Sequence, residues 1–211
     1  MNHEYQREYW NNFAANGEKN ILSKDLHPSW DEAKQEYTEI AKITDTALDI
    51  LKKETKMQKA LDFGVGMGRN FDYLKENFKG VMGYDIPPMI ERISSTRQNF
   101  GQFTSNWEEI KNNRFDLIYQ AVVMQHIPIQ DMIHKLIFIS MISPYFYSVT
   151  RCYNDYMRDF KNSMFGANIA CLIESTNLFE VVESSIPIEE AKSKMDETHY
   201  SVLYRSKIFK K

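Results

Sequence analysis

The chain has 211 residues, 43% of them hydrophobic and 26% charged, with a formal net charge of −3. That length fits one domain with a sizeable core, and the mild acidity, pI near 6.0, excludes a general attraction to nucleic acid or anionic membrane. Two cysteines, Cys152 and Cys171, are too few for a disulfide scaffold or a zinc-ligand pattern, so a reducing, cytoplasmic setting is the expectation.

Residues 1–10 are polar and charged, which argues against a secretory signal. The most apolar stretch, residues 127–149, is broken by Asp131, His134, Lys135 and Pro144 and divides better into a helix and a strand than into a membrane span. Two amphipathic helical segments come first, at residues 3–15 and from Ser29 or Asp31 through Lys53. In the second, Ala33, Tyr37, Ile40, Ala41, Ile43, Thr44, Ala47, Leu48 and Leu51 recur at helical spacing, and Ser29 is placed to cap the start. Lys52, Lys53, Lys56 and Lys59 read as the solvated end of that helix. Residues 1–56 thus form a helical preface, expected to lie as a cap over a second unit at residues 57–211.

From residue 59 strands and helices alternate. Strands are expected at 59–64, 80–86, 101–104, 114–120, 144–150, 179–184 and 200–209. Helices are expected near 69–78, 88–98, 129–141 and 167–176, with a short turn of helix at 107–110. Alternation of this kind predicts a three-layer α/β/α fold around a mostly parallel sheet. The last two strands break the pattern, and an antiparallel final pair is expected.

The densest signal is Asp62-Phe-Gly64-Val-Gly66-Met-Gly68-Arg69-Asn70. These glycines fall on a strand-to-helix turn, where the backbone bends sharply and a ligand approaches the main chain closely. A dinucleotide fingerprint would read G-x-G-x-x-G. Here the third glycine comes one residue early and Arg69 stands in its place, which favours a ligand without a pyrophosphate and disfavours a nicotinamide oxidoreductase. Three further features fall at successive strand ends. Gly83-Tyr84-Asp85, followed by Ile86, places an acid where it would accept ribose hydroxyls. Asn106-Trp107 offers an amide and an aromatic edge. The stretch from Phe115 to Pro128 leads from a strand through Gln120 and His126 into the next helix.

With these four features the chain resembles the class I S-adenosylmethionine-dependent methyltransferases over about residues 59–209. The resemblance implies a Rossmann-like, seven-stranded sheet with an antiparallel last strand, S-adenosylmethionine as cofactor and S-adenosylhomocysteine as product. It implies that Gly64, Gly66, Gly68 and Asn70 hold the methionine part, with Asp62 orienting its ammonium. Asp85 and Ile86 would bind the ribose end, Asn106 and Trp107 would flank adenine, and backbone around Gln120 would line the methionine end. Asn106 departs from the family, which more often has an acid there.

His126, six residues past the fourth strand, is the candidate general base; the competing reading is a histidine that bonds loop backbone. Arg151 and Tyr153, after the fifth strand, and Trp10 of the preface are the candidate acceptor-side residues. An Asn/Asp-Pro-Pro-Tyr/Phe motif does not follow the fourth strand, and Gln120 stands where metal-dependent catechol relatives need an acid, so no metal is expected. The leading expectation is a methyltransferase acting on a small polar acceptor, O-directed. The alternatives are N-methylation of a small molecule and a catalytically silent cofactor-binding or partner-binding domain.

Overall fold

Residues 60–63 and 117–120 are buried on both faces and mostly apolar, as strands between two helical layers are expected to be. The computed structural model describes residue 8 and residues 41–96, 101–151, 169–193 and 199–210. Within them β1 (Lys59–Phe63), β2 (Gly80–Tyr84), β3 (Gln102–Thr104), β4 (Leu117–Ala121), β5 (Tyr145–Arg151), β6 (Phe179–Ser184) and β7 (His199–Ser206) form one sheet. Its order is β3-β2-β1-β4-β5-β7-β6. Neighbours from β3 through β5 are parallel, whereas β7 runs antiparallel to both β5 and β6. The chain reverses direction across the sheet between β1 and β4, and open sheets of this kind take ligands at the carboxyl edge of that switch point.

The helices are α1 (Asp45–Glu54), α2 (Arg69–Asn77), α3 (Pro87–Thr96), α4 (Trp107–Lys111), α5 (Ile129–Ile142), α6 (Ile169–Ser175) and α7 (Ile188–Ser193). On one face Leu61, Phe63, Ile118 and Phe146 pack against Ile110, Met132, Leu136, Ile139 and Ile173 of α4, α5 and α6. On the other, Ala60, Leu117, Tyr119 and Tyr147 pack against Ala47 and Leu51 of α1 and Leu74 of α2. Phe71 of α2 and Ile93 of α3 close that side. The three-layer fold and the antiparallel last strand are those expected from the sequence.

Three details differ. The helix expected to run unbroken through Lys53 has a start at Asp45, because Thr44 takes an extended conformation and its side chain accepts the Ala47 N–H as an N-cap. A 3₁₀ turn at Met124–His126 and the helix α7 were not anticipated. Residues 3–15, apart from Glu8, and 29–40 of the two amphipathic segments lie outside the described residues, as does Trp10.

The entry to α1 is held by tyrosines. The Tyr119, Tyr147 and Tyr73 hydroxyls donate to the carbonyls of three successive residues, Ala41 (2.6 Å), Lys42 (3.0 Å) and Ile43 (3.3 Å). The Thr44 N–H in turn donates to the Tyr147 hydroxyl at 3.1 Å. At the far end of α1, Glu54 accepts from the hydroxyl of Tyr145, the first residue of β5, and pairs with Arg205 at 2.7 Å. Helix α1 therefore runs antiparallel to β5, and the chain before it arrives from the carboxyl-edge side of the sheet.

Candidate active site

The turn after β1 is built by three left-handed glycines: φ is +82° at Gly64, +52° at Gly66 and +80° at Gly68. L-residues with a Cβ avoid that region, at about 1–2 kcal/mol each. The three have different surroundings. A Cβ on Gly64 would lie 2.2 Å from Cγ2 of Val123, so this glycine lets the turn pack against the loop after β4. A Cβ on Gly66 would meet no protein atom within 4 Å, which leaves open space beside the backbone at the middle of the turn. Gly68 is the N-cap of α2, with no side-chain cap.

Asp85 ties this turn to the end of β2. Its Oδ2 accepts the Gly66 N–H at 2.8 Å and its Oδ1 accepts the Ile86 N–H at 2.8 Å. Burial pushes its carboxyl up to about 6 against the opposing pull of these two amides. Asp62, on β1, is 1% exposed, and among the described residues its Oδ2 has no hydrogen-bond partner. Burial, reinforced by the charge of Asp85 and only partly offset by Arg69, raises its carboxyl to about 8. Two carboxyls thus converge on one glycine turn, one committed to backbone amides and one with an unmet acceptor. Such a buried acceptor calls for an explanation, and a cationic ligand is a direct one.

The loop after β4 is pinned from within. Gln120 is fully buried, and its Oε1 accepts the N–H groups of Val123 (3.0 Å) and Met124 (3.3 Å). Its Nε2 faces Ser148 Oγ at 2.5 Å, with the Val149 carbonyl and Thr150 Oγ1 at 3.2 and 3.3 Å. The Gln120 side chain is thereby consumed in holding the loop, so at this position only the backbone is available to line a ligand. Val122 carries φ +61°, an outlier for a β-branched residue, and donates its N–H to the Val149 carbonyl at 2.8 Å. His126 ends the 3₁₀ turn, partly buried, with its N–H on the Val123 carbonyl at 2.9 Å. It stands on the same edge as the glycine turn, whose Gly64 abuts Val123.

At the β3 end, Asn106 is the N-cap of α4, its Oδ1 accepting the Glu108 N–H at 3.0 Å. Its carbonyl oxygen therefore has a local structural role. Trp107 begins α4 and packs edge-on to Tyr84 (5.2 Å) and Phe63 (6.0 Å), while Phe63 and Tyr84 stack at 5.4 Å. Asn70 lies in the first turn of α2, partly buried, and Ile86 directly follows Asp85. Arg151 closes β5 opposite His199 of β7. Tyr153 lies outside the described residues.

The structure thus brings Asp62, Gly64, Gly66, Gly68, Asp85, Ile86, Gln120 and His126 to one edge. It adds Val123, which fits against Gly64, and Lys135 of α5, whose ammonium lies 4.0 Å from the Trp107 ring centre. Neither was singled out from the sequence, because each meets its partner through folds of the chain that spacing does not encode. Among the described residues no group of three or more His, Cys, Asp or Glu is arranged to hold a metal ion. None of their helices is long and apolar enough to cross a membrane.

Residues 32–147, more than half of the chain, match the family model described as the methyltransferase domain. The chain belongs to this family, and its sheet and glycine turn are those of the class I S-adenosylmethionine-dependent methyltransferases. No curated protein matches it in sequence. Among solved structures, magnesium protoporphyrin IX methyltransferase of Synechocystis PCC 6803 with bound S-adenosylmethionine is similar at TM-score 0.61 and 13% identity, over 95% of this chain and 96% of that one. The N-methyltransferase NodS of Bradyrhizobium japonicum WM9, in complex with S-adenosylhomocysteine, gives TM-score 0.59 at 15% identity, over 92% and 98%. The mitomycin 7-O-methyltransferase MmcR gives 0.51 at 15%, over 71% of this chain and 49% of its own. At these identities the likeness is one of fold.

Proposed function

We propose that this methyltransferase binds S-adenosylmethionine at the Asp62–Gly66–Asp85 edge and transfers its methyl group to a small polar acceptor, with a hydroxyl favoured. The carrying observation is the buried, unmet Oδ2 of Asp62 beside an open left-handed glycine. An amino-acid ammonium satisfies that oxygen, and it does so better than any neutral group because it also stabilises the ionised carboxylate. Each oxygen of Asp85 has spent one acceptor site on a backbone amide and keeps capacity for a ribose hydroxyl. The missing side chain at Gly66 lets the ligand lie against the main chain.

The bound donor supplies a methyl carbon on a sulfonium, a leaving group that needs no protonation. What remains for the protein is alignment, and orientation of this kind contributes up to about 7–11 kcal/mol in favourable intramolecular cases. Asp62 and Asp85 fix the two ends of the donor, and the Gln120-pinned loop forms the wall beside its reactive end. His126, on that loop, takes the acceptor proton, a role worth roughly 10²–10⁴-fold. Arg151, Tyr153 and Trp10 are assigned to the acceptor side, Arg151 as a bidentate partner for a polar or anionic group. The mildly acidic chain favours a metabolite-sized acceptor over nucleic acid.

Calorimetric titration with S-adenosylhomocysteine tests the donor site, and Asp85→Ala is expected to abolish binding. No measurable binding by folded wild-type protein would overturn the reading. His126→Ala should lower turnover at neutral pH at least 100-fold on a hydroxyl acceptor while leaving S-adenosylhomocysteine affinity nearly intact. Unchanged turnover removes His126 as base, and tight binding without transfer across a broad acceptor panel would mark a silent binding domain instead.

A further inference from the structure

The Lys135 side chain crosses from α5 into a cage of three aromatic rings that come from three other elements. Its Nζ lies 4.0 Å from the ring centre of Trp107, 5.3 Å from Tyr84 and 5.6 Å from Phe63. Phe63 ends β1 one residue before Gly64, and Tyr84 ends β2 one residue before Asp85. Trp107 opens the helix after β3. The cage is therefore the floor beneath the nucleoside side of the site, and its central cation is the protein's own.

A cation over an aromatic face is attracted by the ring quadrupole, more strongly when water is kept away. Lys135 meets both conditions, and its contact with Trp107 is the shortest of the three. We propose that Lys135 is a positioning residue for donor binding: its ammonium holds the Trp107 ring against Tyr84 and Phe63, and so keeps the wall that faces the adenine in place. The proposal rests on the donor reading given above.

This arrangement makes the nucleoside wall sensitive to pH. Burial lowers the Lys135 ammonium to about 8, with Asp131 one turn earlier on α5 raising it and Lys111 of α4 lowering it further. Lys111 is itself paired with Glu108 at 2.5 Å. From β1 the facing group is the uncharged Phe63. From β2 it is the Tyr84 phenol, which burial and Asp85 push above its ordinary value, so that it stays neutral throughout this range. Below about 8 the cage holds a cation; above it the amine is neutral and the attraction is lost. Donor binding, which needs the wall in place, then raises the Lys135 pKa by linkage.

The experiment measures S-adenosylhomocysteine affinity of the full chain by calorimetry from pH 6.5 to 9.5, for wild type, Lys135→Arg and Lys135→Met. Dividing wild-type by variant affinity at each pH cancels the titration of Asp62, Asp85 and the ligand's own amino group. At pH 7 the Lys135→Met protein should bind about 3- to 10-fold more weakly than wild type, a range set by the strength of one partly buried cation–π contact. That ratio should close toward one by pH 9.5, while Lys135→Arg keeps its affinity across the range. In ligand-free protein, tryptophan fluorescence should titrate with a midpoint near 8 in wild type and lose that step in Lys135→Met. Equal binding by wild type and Lys135→Met at pH 7 overturns the proposal alone. Failure of wild-type protein to bind S-adenosylhomocysteine at any pH overturns the donor reading and the proposal together.

Discussion

Asp62→Asn is the substitution whose consequences follow most directly from the geometry. The ligand-free protein holds this carboxyl buried, with its pKa raised from 3.8 to about 8. A folded-state value above the unfolded one means that the native chain binds the extra proton between those limits. Stability therefore falls as pH rises through that window, by about 1.4 kcal/mol per unit at most. The contribution is fully present below about pH 4 and fully lost above about pH 8. A shift of about four units corresponds to an upper bound near 6 kcal/mol, which relaxation and water entry reduce, so about 2–4 kcal/mol is the expected penalty at pH 9. An asparagine carries no charge to desolvate. Urea denaturation at pH 4 and pH 9 should show the variant close to wild type at the lower pH and more stable by that amount at the higher one, with about half the difference already present at pH 6. The same variant should bind S-adenosylhomocysteine more weakly, since the ammonium loses its carboxylate. At pH 7 binding to wild type should release the Asp62 proton, so the calorimetric heat should change with the ionisation enthalpy of the buffer, and this dependence should shrink in Asp62→Asn. Equal stability of the two proteins at pH 9, with the same buffer dependence of the heat, would refute the assignment of a protonated Asp62.

Two further outcomes separate the parts of the edge. Gly66→Ala should fold, because its Cβ meets no protein atom, at a cost of about 1–2 kcal/mol for a left-handed alanine, yet lose donor affinity more than tenfold; thermal unfolding and calorimetry together check it. Gln120→Leu leaves the Val123 and Met124 amides without their acceptor and should cost about 2–4 kcal/mol in urea denaturation, with turnover falling through displacement of the His126 loop.

The sequence carries the sheet well, because β1, β4 and β5 are buried on both faces and their largely apolar runs stand out between turn residues. The glycine turn and Asp85 are equally legible: their roles depend on short spacings along a strand-turn-helix unit and on the end of the next strand. What spacing hides is contact between distant segments. Lys135 reads as a polar interruption of an apolar helix, and only the folded chain sets it among Phe63, Tyr84 and Trp107. At Gln120 the sequence points to backbone that lines a ligand, and only the fold shows which groups its side chain holds: the Val123 and Met124 amides and Ser148. Asn106 likewise caps a helix that begins one residue later. The break before α1 was missed because residues 41–51 keep helical apolar spacing through it, and the tyrosines that hold Ala41 to Ile43 lie between 30 and 105 residues away.

Those tyrosines hold main-chain carbonyls, so the attachment does not read the side chain that each residue carries. Lys42, exposed to solvent, is held by the same means as its buried neighbours Ala41 and Ile43. The sheet and α2 together therefore supply a generic socket for whatever chain enters at the carboxyl edge. A chimaera that replaced residues 1–40 with the corresponding segment of another family member would keep its point of attachment. Such a socket lets the sequence before residue 41 change while its point of attachment stays the same.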